Sequence, residues 1–174
     1  MTAPIALGDP IARARKNLIT IDIADVKVSK DPAVSLITYS LGSCIGVSIY
    51  DPVTKVGGMI HFMLPESTLS PDKAKANPAM FCDSGVPVLF RDTYALGANK
   101  ARLVVKVAGA SQLLDDKGTF NIGKRNYLAL RKLFWKNGVL IAAEDVGGSL
   151  SRTMKLELAT GRVTIKSRGG EVPL

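Results

Sequence analysis

The chain is poor in the residues on which most chemistry depends, with one histidine and two cysteines among 174 residues and aromatic side chains at 6%. So few cysteines exclude a disulfide-stapled scaffold. With no apolar leader and cleavage site at its start, Cys44 and Cys82 are expected as free thiols in a reducing compartment, the cytoplasm. Cys44, His61 and Cys82 lack the short paired spacings of a structural zinc site, so no metal is expected. The scarcity of aromatics removes the stacking ladder that single-stranded nucleic acid requires, and nucleic-acid binding is set aside. No apolar run approaches the roughly 18 residues of a membrane span, so no direct membrane insertion is expected.

What the chain does contain is an ordinary globular composition, 47% apolar and 22% charged, at a length that fits one domain. Its charge is one-sided: 23 basic against 15 acidic residues, a formal +8. The basic residues are scattered rather than run together, which fits attraction to an acidic surface better than a groove for a polyanion. Residues 1–16, with Pro4, Gly8 and Pro10 ahead of Arg13, Arg15 and Lys16, read as a flexible basic arm. Residues 17–168 read as the folded domain and 169–174 as a C-terminal tail.

Within the domain, alternating apolar residues predict strands over 18–23, 26–28 and 34–39, and a hairpin joining 44–50 to 56–64 through a turn at Asp51-Pro52-Val53-Thr54. Residues 66–80 read as a surface loop. A helix capped by Asp83 or Ser84 buries Val86, Leu89, Phe90, Thr93 and Leu96 before Gly97 stops it, and a second helix begins after Asn121. Strands follow at 103–108 and 139–143, and a last hairpin joins 154–158 to 163–166. The fold class is α/β, a layered sandwich with mixed sheets and two main helices.

Chemistry concentrates at the hairpin. A loop of residues 51–54 makes Tyr50 face Lys55 and sets Cys44 opposite His61, with Cβ atoms about 4.5 to 5.5 Å apart. A slip of one residue separates them, so the pairing rests on the register. Alternation sends Ile45, Val47, Ile49, Ile60 and Phe62 to the core. Cys44, Gly46, Ser48, Met59 and His61 share the other face, with Ser48 and Met59 as candidate substrate-lining residues. A thiol beside an imidazole is an acyl-transfer pair: the imidazolium favours the thiolate and later protonates a leaving amine. Gly42 and Ser43 offer backbone N–H groups for an oxyanion. Thr38, ending the preceding strand, is close enough in the chain to orient the imidazole. The alternative is plain packing, since a free cysteine is among the most buried residue types and a lone histidine is often only a satisfied polar group. Gly57-Gly58 is equally consistent with a β-bulge.

Thr38-Tyr39-Ser40-Leu41-Gly42-Ser43-Cys44-Ile45-Gly46-Val47, Tyr50-Asp51-Pro52 and Gly57-Gly58-Met59-Ile60-His61-Phe62-Met63-Leu64-Pro65 together resemble the signature of the chemoreceptor glutamine deamidase family, CheD. Leu103 to Ala110, Ile122-Gly123-Lys124-Arg125-Asn126, Ala143 to Gly148 and Ala159 to Val163 follow in the family's order. Gly109-Ala110 departs from the usual glycine pair, and Phe81-Cys82 from a tyrosine and alanine. The resemblance implies a sandwich similar to the catalytic domain of the cytotoxic necrotizing factors. It implies hydrolysis of selected glutamine side chains on methyl-accepting chemotaxis receptors to glutamate, with Cys44 as nucleophile, His61 as general base and acid, and Thr38 orienting the imidazole. No cofactor is implied. A CheC-type phosphatase is implied as a partner, and a non-catalytic regulator docking on receptors or on that phosphatase is the competing reading.

Overall fold

The computed structural model describes residues 17–112 and 120–174; the basic arm expected over 1–16 lies outside them. Ten strands run in the order β1 Leu18–Thr20, β2 Asp25–Ser29, β3 Ser35–Leu41, β4 Ile45–Tyr50, β5 Gly57–Phe62, β6 Val104–Gly109, β7 Ala143–Val146, β8 Arg152–Glu157, β9 Val163–Ser167 and β10 Gly170–Pro173. Three α-helices are interspersed: α1 Pro71–Ala76, α2 Cys82–Ala95 and α3 Ile122–Lys136. The strands form two five-stranded mixed sheets, in the orders β1-β3-β8-β9-β10 and β2-β5-β4-β6-β7.

Two apolar layers follow from the strand alternation. Ile45, Val47 and Ile49 of β4, with Ile60 and Phe62 of β5, pack against Val86 and Leu89 of α2 and Leu130 and Phe134 of α3. The opposite face of the same strands is also buried, because the other sheet covers it: Leu36 and Leu41 of β3 and Met154 and Leu156 of β8 close on Met59, Tyr50 and Ala108. Every residue of β4 and β5 is therefore buried. The approach is close at Gly46, where an added Cβ would lie 2.9 Å from a methyl of Leu41 and 3.3 Å from the sulfur of Met154.

The hairpin corrects the expected register. Tyr50 pairs with Gly57 and Gly46 with His61, so the loop runs Asp51–Val56 and the strands are offset two residues from the expected pairing. The Asp51 carboxylate makes the longer loop. It accepts from the N–H groups of Val53 at 2.9 Å and Asn99 at 2.9 Å, and from Arg102 Nη2 at 2.7 Å, while Lys55 takes a left-handed φ of 60°. An offset of two keeps each side chain on its face, so the alternation holds although the partners change. Gly57 and Gly58 sit in regular pairing, not in a bulge.

Other segments differ from expectation for local reasons. Residues 66–80 hold α1, because Pro71 at the first helical position starts a helix rather than breaking one. The second helix begins at Cys82 without a side-chain cap; Asp83 instead accepts from the N–H and hydroxyl of Ser67, both at 2.8 Å. The strand expected at 139–143 is displaced to β7, since Val139 N donates to Phe134 O at 2.9 Å and Val139 and Ile141 pack on the helical layer before pairing with β6 begins. The expected C-terminal tail contains β10, which pairs antiparallel with β9, and Thr164 donates to the Glu171 carboxylate at 2.7 Å.

Arg102 holds the Asp51 carboxyl well below the usual carboxylate range, helped by the loop N–H groups and opposed by burial. Its folded value is depressed, so its contribution to stability is complete above the unfolded value of about 4 and is lost as pH falls below it. The urea midpoint of wild type should exceed that of Asp51→Asn by a margin that is constant from pH 7 to 5 and shrinks between pH 4 and 2. A margin independent of pH would remove Asp51 as the lock of this loop.

Candidate active site

The site lies where the chain crosses from one sheet to the other. Strand β3 belongs to the first sheet and β4 to the second, and residues 42–44 make the passage. Thr38, on β3, and His61, on β5, point into the layer between the sheets and are both fully buried. Thr38 Oγ1 is 2.8 Å from His61 Nδ1 and donates to Ile21 O at 2.8 Å. A hydroxyl has one proton and a carbonyl can only accept, so the threonine accepts from Nδ1–H. The tautomer is thereby fixed: Nε2 carries the lone pair, and it has no hydrogen-bond partner.

Cys44 packs partly against the inter-sheet cluster and lines a cavity of about 670 Å³ with Gly42, Ser43, Ala110, Ser111 and Gly123. Because Gly46 stands across from His61, Cys44 is a diagonal neighbour of His61 instead of facing it directly. No hydrogen bond joins the thiol to Nε2, so the chain of contacts runs from imidazole to threonine to main-chain carbonyl, with the thiol beside it on the cavity wall.

Two of the expected substrate-lining residues lie elsewhere. Ser48 and Met59 are 1% and 0% exposed, sealed between the sheets, and neither borders the cavity. Alternation placed them on the face of Cys44 and His61; the second sheet, whose position single strands do not disclose, closes that face. Gly42 and Ser43 do line the cavity. Cys82 is buried in the helical layer, away from Cys44.

The cavity walls come from segments without an assigned role on sequence grounds. Gly109 has φ 116°, and an added Cβ would come within 2.2 Å of Cys44 O, so only glycine permits this approach. Ala110 N donates to Cys44 O at 2.9 Å and Ser111 N to Gly42 O at 2.7 Å. Arg152, 8% exposed, donates through Nη1 to Ser111 Oγ at 2.6 Å and Gly147 O at 3.0 Å, and through Nη2 to Asp145 at 2.8 Å. It thus ties the loop after β6 to the loop after β7. Asn126 Nδ2 donates to Ser43 O at 2.9 Å and Met63 O at 2.8 Å. The hints in the sequence were the family-like segments ending at Gly109-Ala110 and spanning 122–126 and 143–148.

Electrostatically the resting pair is neutral. Burial pulls the imidazole down to about 4, with the Asp22 carboxylate acting weakly the other way. Burial also raises the Cys44 thiol, against a smaller effect of its own backbone N–H on the thiolate. The imidazole is thus uncharged above about pH 4, and the thiol keeps its proton at neutral pH. Alkylation of Cys44 by iodoacetamide, with Cys44→Ala as blank, should accelerate with pH through and beyond the ordinary thiol value of about 8.5. A plateau extending below pH 7 would instead reveal a preformed thiolate–imidazolium pair.

The chain as a whole is similar to known proteins. The CheD family model, described as CheD chemotactic sensory transduction, matches residues 63–167. The probable chemoreceptor glutamine deamidase CheD 1 of Syntrophus aciditrophicus (strain SB) is 52% identical over 152 residues, 87% of this chain and 95% of its own. The probable chemoreceptor glutamine deamidase CheD of Solibacter usitatus (strain Ellin6076) is 48% identical over 156 residues, 90% of this chain and 92% of its own. Among solved structures, the Neisseria meningitidis protein NMB0706, family-model DUF152, has a TM-score of 0.43 at 10% identity, covering 80% of this chain and 66% of that one. With relatives this similar over nearly its whole length, the chain belongs to the CheD family.

Proposed function

We propose that the protein is a cysteine amidohydrolase, a protein-glutamine glutaminase that converts selected glutamine side chains of methyl-accepting chemotaxis receptors to glutamate. The observation that carries this reading is the fixed tautomer of His61: Thr38 holds Nδ1–H and leaves Nε2 free in the layer into which Cys44 packs. The relatives' printed names supply the substrate class.

In this reading Cys44 Sγ attacks the carboxamide carbon while its proton passes to His61 Nε2. The oxyanion is met by N–H groups of the turn through Ser43 and Cys44. His61 returns the proton to the leaving nitrogen, ammonia departs, and a thioester to Cys44 remains. A water molecule then gives a proton to His61 as its oxygen attacks the thioester carbon. Collapse releases glutamate and restores the thiol. The +8 charge favours encounter with an acidic receptor surface, an attraction that weakens with salt. A sandwich of the cytotoxic necrotizing factor type, a cytoplasmic location and docking to a CheC-type phosphatase belong to the same reading.

Mass spectrometry of a chemoreceptor cytoplasmic fragment incubated with the protein tests it. Wild type should convert particular glutamines to glutamate and Cys44→Ala none. His61→Gln should slow conversion by at least about 10²-fold, the usual worth of general-base catalysis. Thr38→Val should slow it by about tenfold, the equivalent of one net hydrogen bond. Binding of wild type to receptor fragments without any conversion would make it a docking regulator instead.

A further inference from the structure

Among the described residues, two buried side-chain polar atoms have no hydrogen-bond partner, and both belong to residues around the nucleophile: His61 Nε2 and Asn126 Oδ1. The first is the proposed base. The second sits in the segment Ile122 to Asn126, which resembles the family but takes no part in the chemistry above. Asn126 is 0% exposed, and both protons of its carboxamide are committed, to Ser43 O at 2.9 Å and Met63 O at 2.8 Å. Carbonyls only accept, so the amide cannot flip, and its oxygen is left unpaired in an interior where such groups nearly always find a partner.

The two acceptors are not equivalent to any other pair of carbonyls. Ser43 immediately precedes the nucleophile, and Met63 follows the end of β5, the strand of the base. One side chain therefore spans the two segments whose separation determines whether thiol and imidazole meet. Its reach is set by α3, which is seated firmly: an added Cβ at Gly123 would lie 2.6 Å from Ala110 O and 2.9 Å from Ser111 O.

The bond to Ser43 O also has a directional consequence. Gly42 O accepts from Ser111 N at 2.7 Å, Ser43 O from Asn126 and Cys44 O from Ala110 N at 2.9 Å, so three consecutive carbonyls of the turn are held. In a trans peptide the N–H points opposite to the C=O. Anchoring Ser43 O on Asn126 thus turns the Cys44 N–H the other way, where it acts on the Cys44 sulfur.

We propose that Asn126 is a positioning residue for the nucleophile: its carboxamide clamps the Ser43–Cys44 peptide to the end of the histidine strand and aims the Cys44 N–H at the reacting sulfur and oxyanion. The part of this proposal that concerns turnover rests on the hydrolase reading; the part that concerns Cys44 does not.

The test compares wild type with Asn126→Asp and Asn126→Thr, each checked for folding by circular dichroism and thermal melting. An ionised carboxylate presents only acceptors to the two carbonyls, a protonated one restores a single donor, and threonine keeps one donor on a smaller side chain. At pH 8, Asn126→Asp should alkylate at Cys44 at least about fivefold more slowly than wild type and lose at least about tenfold in kcat on the receptor fragment, with KM within twofold. The ratio of its alkylation rate to that of wild type should climb as pH is lowered and the carboxyl takes up its proton, a change that a merely structural defect would not produce. Asn126→Thr should fall between the two. A folded Asn126→Asp or Asn126→Thr with wild-type alkylation and wild-type kcat overturns the proposal, as does rapid solvent exchange of the Asn126 side-chain amide protons in wild type, which needs no variant. If wild type converts no glutamine, the hydrolase reading fails, and the alkylation series still decides the role of Asn126.

Discussion

One hydrogen bond joins the two sheets at the proposed site, where the imidazole depends on their alignment. Thr38 comes from one sheet and His61 from the other, and their contact at 2.8 Å exists only when the sandwich is closed in a single relative position. Its environment is apolar and sealed, so no solvent competes for either partner, and the low local dielectric strengthens the bond. The same burial keeps the imidazole uncharged. A pair of sheets brought together by Leu36, Leu41, Met154 and Met59 thereby sets the tautomer of the chain's single histidine. The reactive geometry is a property of layer packing before it is a property of any loop.

Around that bond the cavity is assembled from parts that individually look structural. The turn through Gly42, Ser43 and Cys44 is held by its carbonyls on two sides, by the main chain of Ala110 and Ser111 and by a side chain from α3. Arg152 in turn fixes Ser111 against the loop after β7. The proposed hydrolysis would need Cys44 immobile before substrate arrives, because reorganisation during the reaction raises the barrier. Here rigidity comes from saturating the acceptors of the turn rather than its donors, the groups the proposed oxyanion would use.

Much of this was legible in the sequence, and the rest was hidden for identifiable reasons. Alternation in 44–50 and 57–62 sorted the side chains to their faces, and the start of α3 after Asn121 followed from local signals. Cys44 and His61 stood out because cysteine and histidine are scarce, and Thr38 because it ends the strand that leads to Cys44. Register was not legible, because the loop from Asp51 to Val56 is shaped by Arg102 and Asn99, which are remote in the chain. Ser48 and Met59 were misplaced because a strand shows which residues share a face and not what covers it. Asn126 and Arg152 were overlooked because a polar residue in an amphipathic element reads as solvent-facing until the tertiary partners are known.

The loop between β4 and β5 also separates length from phase in this architecture. Facing residues of an antiparallel pair lie on the same side of the sheet whatever the length of the connection between them, so residues added to Asp51–Val56 leave His61 between the sheets as long as it stays across from Gly46. A slip of the pairing by one residue, by contrast, would invert β5 and deliver the imidazole to the helices. The outlying turn can thus vary in length, while the layer that holds the imidazole is guarded by the ladders of β5 with β4 on one side and β2 on the other.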